Sequence, residues 1–229
     1  MPTPLPSRTP DTFSVGRTVL RTLQTTLRLA TSAAALSLGL VAFSQLADAA
    51  TAMVKVDDST FHCMRNMTPV RHFYVDNLQG DLAGTLAAAN APKGAVYPAG
   101  SVVQLVPTEV MVKREAGFNP ATGDWEFFEL QVDAHGTKIG KRGFAEVNNR
   151  FGKNCFGCHA PARQPWDFVC ESSHGCEPIP IDHSMTGALQ RSDPRCGPAA
   201  PQPGDTMALL KLRAMVMIGS TIGWFKSLI

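Results

Sequence analysis

Apolar and polar positions divide the chain into stretches of different period. Residues 71–91, RHFYVDNLQGDLAGTLAAANA, space Leu78, Leu82 and Leu86 four apart and stop at Asn90-Ala91-Pro92, which predicts a helix with one apolar stripe. After Pro98-Ala99-Gly100 the period shortens. SVVQLV and EVMVK are β-branched runs separated by Pro107-Thr108, two short strands joined by a bend. The turn cluster Asn119-Pro120-Ala121-Thr122-Gly123 leads into DWEFFELQVD, where Phe128, Leu130 and Val132 alternate with Glu129, Gln131 and Asp133 as in a half-buried strand. DAHG then turns the chain into TKIGKRGF. A helix followed by an antiparallel meander of about four strands is an α+β order.

Residues 161–205 are rich in Pro, Gly, Ser and Cys with little periodicity, and are expected to be an irregular segment held by disulfides and by packing on a cofactor. The final stretch, residues 207–229, is apolar. Lys211, Arg213 and Lys226 leave only 214–225 uncharged, short of the ~20 residues a membrane-spanning helix needs. It reads as a docked or interfacial helix able to make weak contact with a membrane surface.

At the other end, Arg8, Arg17, Arg21 and Arg28 precede an uncharged run, 29–46, closed by Ala47-Asp48-Ala49. This is the order of a secretory signal peptide, with cleavage expected near Ala49 or Ala50 and a periplasmic destination; an uncleaved anchor is the alternative. Removing residues 1–50 takes four of the 21 Lys+Arg and two of the 19 Asp+Glu, leaving 17 against 17. A balanced chain carries no global signal for nucleic acid or another highly charged partner. Its 229 residues, 44% hydrophobic and 17% charged, suit one packed core.

Export changes the meaning of the six cysteines, because disulfides persist outside the cytoplasm. Cys155, Cys158 and His159 form a C-x-x-C-H within NCFGCH. A thioredoxin-like redox pair opens a helix after a strand of a βαβ unit, whereas the strands here read as an antiparallel meander. Structural zinc needs four ligands, and no second cysteine pair at matching spacing occurs. Covalent haem uses all three residues: the two sulfurs bond the porphyrin and His159 is the proximal iron ligand. One haem c attached through Cys155 and Cys158 is therefore the expected cofactor.

The other axial position selects function, since Met or His there suits electron transfer and an open face suits ligand binding. His62, His72, His135, His174, His183, Met111 and Met185 are candidates, and sequence alone does not choose among them. Of the remaining cysteines, Cys170 and Cys176 enclose only ESSHG, which can turn back to form a local bridge, leaving Cys63 to pair with Cys196. Two other pairings remain open at this stage.

MVKREAGFNPATGDWEFFELQVDAHG, residues 111–136, followed by CFGCHAPARQPWDFV, residues 155–169, resembles the cytochrome P-460 and cytochrome c-prime-beta family of exported, β-rich monohaem proteins. The shared pattern is Met111-Val112-Lys113, Gly117-Phe118-Asn119-Pro120, Asp124-Trp125-Glu126-Phe127, Cys155 to His159, and Asp167-Phe168. The resemblance covers residues 98–169 and not the flanks with their four further cysteines. It implies a five-coordinate haem on one face of an antiparallel sheet, a pocket for small gases or nitrogen species, and a homodimer. One branch oxidises hydroxylamine and has a strand lysine joined to the porphyrin; the other lacks that bond and binds nitric oxide. The strand expected to supply the lysine is SVVQLV, where Gln104 and Leu105 stand. Lys93 and Lys113 flank it, Lys113 reading as a solvated strand residue.

These readings divide the chain into a signal peptide (1–50), a haem-binding P-460-like domain (51–205) and an apolar C-terminal helix (206–229). Trp125, Phe127, Phe128, Trp166 and Phe168 are the expected haem-packing aromatics. Arg114 and Glu115 are candidates for a proton relay or a hydrogen bond to a ligand, against the plainer expectation of solvent-facing charges at a strand end. The function expected is binding of a small gaseous or nitrogen-oxide ligand at an open haem face, with a redox protein as a possible partner. The alternatives are an electron-transfer cytochrome and a hydroxylamine-oxidising enzyme.

Overall fold

The structure, a computed structural model, describes residues 53–226, so the expected signal peptide lies outside the described residues. Six strands, β1 (Thr68–Val70), β2 (Phe73–Asn77), β3 (Ser101–Val106), β4 (Glu109–Lys113), β5 (Trp125–Asp133) and β6 (Gly136–Gly143), form one sheet in chain order. Every neighbouring pair is antiparallel. Helix α1 (Leu82–Ala89) lies between β2 and β3; α2 (Cys155–His159), α3 (His183–Arg191) and α4 (Asp205–Lys226) follow the sheet. The architecture is α+β.

Side chains alternate across a strand, so each strand feeds two cores. Val75, Val103, Met111, Trp125 and Phe127 point to one face, where Leu82 and Leu86 of α1, Cys155 and Phe156 of α2, and Phe168 pack on them. Val102, Val110, Val112, Phe128 and Leu130 point to the other, covered by Val54, Val56 and Phe61. Full burial of such side chains contributes about 1.5–3 kcal/mol each, which is why both faces are closed.

The sheet corrects the expected helix over 71–91. Its first part is β2, in which Phe73, Val75 and Asn77 are buried between half-exposed neighbours, and the helix begins only after Gly80, where the Asp81 side chain accepts the Gly84 amide at 2.9 Å. Leu78 thus packs on the second core while Leu82 and Leu86 pack on the first, and the apparent stripe belongs to two elements. With β1 and β2 added, the meander has six strands rather than about four.

The segment 161–205 also holds more order than expected. Helix α3 starts at the Asp182 N-cap and sends Gln190 Nε2 to the carbonyls of His72 and Leu105 at 2.7 and 2.9 Å. Docking onto the sheet, rather than a long apolar stripe, stabilises it. Helix α4 packs Ala208 against Met185 and Ala188 of α3, and Arg191 pairs with Asp205. No described helix is long and apolar enough to cross a membrane. The disulfides are Cys63–Cys196 and Cys170–Cys176, the expected pairing, and Cys155 and Cys158 are left free.

Candidate cofactor-attachment site

Asn154 builds the C-x-x-C-H helix. Its carboxamide oxygen accepts the Gly157 amide at 2.8 Å and so caps α2, while its Nδ2 donates to the carbonyls of Phe144, Ala145 and Val147 at 3.0–3.2 Å. The Cys155 amide donates to the Val147 carbonyl at 3.0 Å, tying the helix start to the chain that leaves β6. Cys155 and Cys158, three residues apart on one helix, share a side of it.

Both thiols are half-exposed, and burial pushes Cys155 up to about 12, far from the thiolate that disulfide exchange requires. Among the described residues, the only grouping of three metal-ligating side chains is Cys63, Asp193 and Cys196, and its two sulfurs are already bonded to each other. Neither a low-pKa thiol at Cys155 nor, among the described residues, a cluster of further ligands around Cys155 and Cys158 favours the redox and zinc alternatives.

His159 Nδ1 lies 2.6 Å from the carbonyl oxygen of Phe168. A carbonyl only accepts, so Nδ1 carries the proton and Nε2 keeps its lone pair. Burial lowers the pKa of His159, with the Phe168 carbonyl acting against it. Phe127 meets the imidazole edge to face at 5.3 Å, and Phe156 sits among Phe127, Phe144 and Phe168 with ring centroids 5.9–6.3 Å apart.

The Phe168 carbonyl is presented by unusual backbone: Asp167 and Phe168 have φ of 47° and 65°, a region costly for residues with side chains. The turn is held from several directions. Lys113 Nζ donates to both Asp167 carboxylate oxygens at 2.8 and 2.7 Å and to the Gly123 carbonyl at 2.7 Å. The Tyr97 amide donates to Asp167 at 2.8 Å, and Trp125 Nε1 donates to the Asp167 carbonyl at 2.7 Å. Gly123 packs against the Phe168 ring so closely, with φ of 59°, that an added Cβ would stand 2.7 Å from it. Burial raises the Asp167 pKa, opposed by the Lys113 ammonium.

Lys113 is thus a correction: it is 6% exposed, not solvated, because a carboxylate 54 residues away meets it. Lys93 is exposed. Arg114 and Glu115 are corrected as well. Arg114 is buried on the opposite face of the sheet, paired with Glu126 at 2.6 Å and donating to the Val54 carbonyl, while Glu115 accepts the Val54 amide. These charges fasten the N-terminal segment and stand apart from α2.

Of the expected aromatics, Trp125, Phe127 and Phe168 lie in the core that Cys155 and Phe156 join. Phe128 faces the other core and contacts Phe61, and Trp166 stacks flat on His174 at 3.8 Å. Among the axial candidates, Met111 alone belongs to the core against which Cys155 packs. His62 and His135 are exposed, Met185 packs between α3 and α4, and His72, His174 and His183 line a cleft of about 380 Å³ with Arg71, Tyr97 and Trp166.

The residues present fit a covalently held haem: two unpaired thiols on one helix with an imidazole whose one free nitrogen is a lone-pair donor, Cys155 packing on the apolar core and His159 on Phe127. Sequence reading missed Asn154 and the partnership of Lys113 with Asp167. An Asn before a short helix is a capping signal that was legible; the ion pair, joining distant segments, left none. Comparison of the chain with protein-family models, with curated proteins and with solved structures finds no match.

Proposed function

We propose that this chain is an exported monohaem c-type cytochrome of the cytochrome P-460 and cytochrome c-prime-beta type, which binds a small gaseous or nitrogen-oxide ligand at an open haem face. One observation carries the reading: the only free cysteines among the described residues stand on one short helix with His159, whose Nδ1 is committed to the Phe168 carbonyl and whose Nε2 is left for a metal. Cys155 and Cys158 would hold the haem through thioether bonds, and His159 would ligate its iron. A bound haem supplies a redox-active centre with one position able to take a diatomic ligand. The chain's own residues orient His159: the Phe168 carbonyl engages Nδ1, and Phe127 packs edge to face on the imidazole. A small-molecule ligand, a redox protein and a second copy of the chain are the partners this reading implies.

Ferrous protein isolated after export should bind carbon monoxide or nitric oxide with a clear change in its absorption spectrum. A low-spin iron indifferent to both gases overturns ligand binding and supports a second reading, electron transfer with Met111 as axial ligand, since Met111 is the axial candidate in the core against which Cys155 packs. The hydroxylamine-oxidising alternative needs a lysine joined to the porphyrin, and the amine of Lys113 is instead engaged by Asp167 and Gly123. These contacts of Lys113 favour an uncrosslinked haem.

A further inference from the structure

Buried in the first core is a charged pair that the ligand-binding reading does not require. Lys113 and Asp167 are 6% and 7% exposed, and their contact is bidentate, Nζ reaching both carboxylate oxygens. Taking two charges out of water is expensive, and replacement of such pairs by neutral groups of similar shape is often harmless to stability. The position of the pair points to another use. Asp167 is the first of two successive left-handed residues, and the second, Phe168, offers its carbonyl to His159 Nδ1. Lys113 lies on β4, in register with Trp125 of β5, and its ammonium is 5.2 Å from the Trp125 ring. Trp125 in turn donates to the Asp167 carbonyl. Two rigid strands and the Tyr97 amide therefore grip Asp167 side chain and backbone together, one residue before the carbonyl that sets the histidine tautomer.

We infer that Lys113 and Asp167 are positioning residues for His159. They hold the Asp167-Phe168 turn in its left-handed conformation, so that the Phe168 carbonyl accepts the Nδ1 proton at short range and raises the electron donation of Nε2 to bound iron. A hydrogen bond of this kind makes a metal-bound imidazole more basic and fixes its orientation. The inference rests on the haem reading for its consequence at iron, but not for its effect on the imidazole, which belongs to the polypeptide alone.

The test compares the double variant Lys113→Met/Asp167→Asn with Arg195→Met/Asp193→Asn, which neutralises another buried ion pair, 2% and 0% exposed, near the Cys63–Cys196 disulfide. Asn in place of Asp167 keeps an acceptor for the Tyr97 amide, so the variant removes charge with little change of shape. In the haem-loaded protein, the Lys113/Asp167 variant should show an iron–histidine stretch shifted to lower frequency in resonance Raman spectra and a midpoint potential shifted upward. The Arg195/Asp193 variant should match the unaltered protein in both. In chain isolated without haem, ¹⁵N NMR should find the His159 proton on Nδ1 in the unaltered protein and distributed over both nitrogens in the Lys113/Asp167 variant. Absence of haem from every preparation, with the tautomer still responding, overturns the cofactor and keeps the positioning role. An unchanged tautomer, or an unchanged stretch and potential in loaded protein, overturns the positioning role whatever the cofactor.

Discussion

Asn154 caps α2 with its carboxamide oxygen, and its two Nδ2 hydrogens are shared among three carbonyls of the residue 144–147 loop, drawing that loop onto the helix. Cap loss costs about 1 kcal/mol, and each neutral hydrogen bond contributes a similar amount with partial compensation from water. Asn154→Ala should lower unfolding free energy by about 2 kcal/mol in urea titrations, and Asn154→Asp, which keeps the capping oxygen but not the donors, by about 1 kcal/mol. Equal losses in the two variants would show that the donors matter little. At this scale sequence was an uneven guide. Cys155, Cys158 and His159 stand together because they are adjacent in the chain, and that much was legible. Lys113 was not, since a strand lysine ordinarily faces water and only the fold reveals Asp167 above it. Nor could any local pattern announce that Phe168, a bulky residue, adopts φ of 65° and turns its carbonyl to His159.

Among the elements, β3 to β6 were readable from their β-branched runs and alternation, because one strand face per residue pair is all that such a pattern encodes. β2 was hidden by leucines that serve two cores, and α3 by dependence on docking through Gln190. The junction of α3 and α4 depends on Arg191 and Asp205. The hydrogen bond from Arg191 lowers the Asp205 pKa to about 2, helped by the Gln202 amide. A carboxyl group depressed in the folded state stabilises the fold above its unfolded pKa and loses that contribution as pH falls through the folded value. Protection of the first turn of α4 against hydrogen exchange should therefore be constant above about pH 4 and decline towards pH 2. In Arg191→Ala the ¹³C titration of the Asp205 carboxyl should move up towards 3.8. A midpoint indifferent to Arg191 would detach the pair from the junction.

Across the whole molecule, the Cys63–Cys196 bridge closes a sequence separation of 133 residues and Cys170–Cys176 one of 6. In the chain-entropy account the long closure contributes about 5 kcal/mol and the short one about 2 kcal/mol. Cys63→Ser/Cys196→Ser should accordingly lose more than twice the stability lost by Cys170→Ser/Cys176→Ser in denaturant titrations, and the reverse order would place the stabilisation in local geometry. The pairing itself was legible once Cys155 and Cys158 were set aside for a cofactor. What the bridges leave over is the most consequential fact about the chain, two free thiols beside a histidine with one committed nitrogen. Intact mass spectrometry of the protein, purified from a host able to attach haem c and then denatured and thiol-alkylated, tests this directly. The account predicts one haem retained on the polypeptide and no alkyl group on Cys155 or Cys158; a haem-free chain alkylated at both would contradict it.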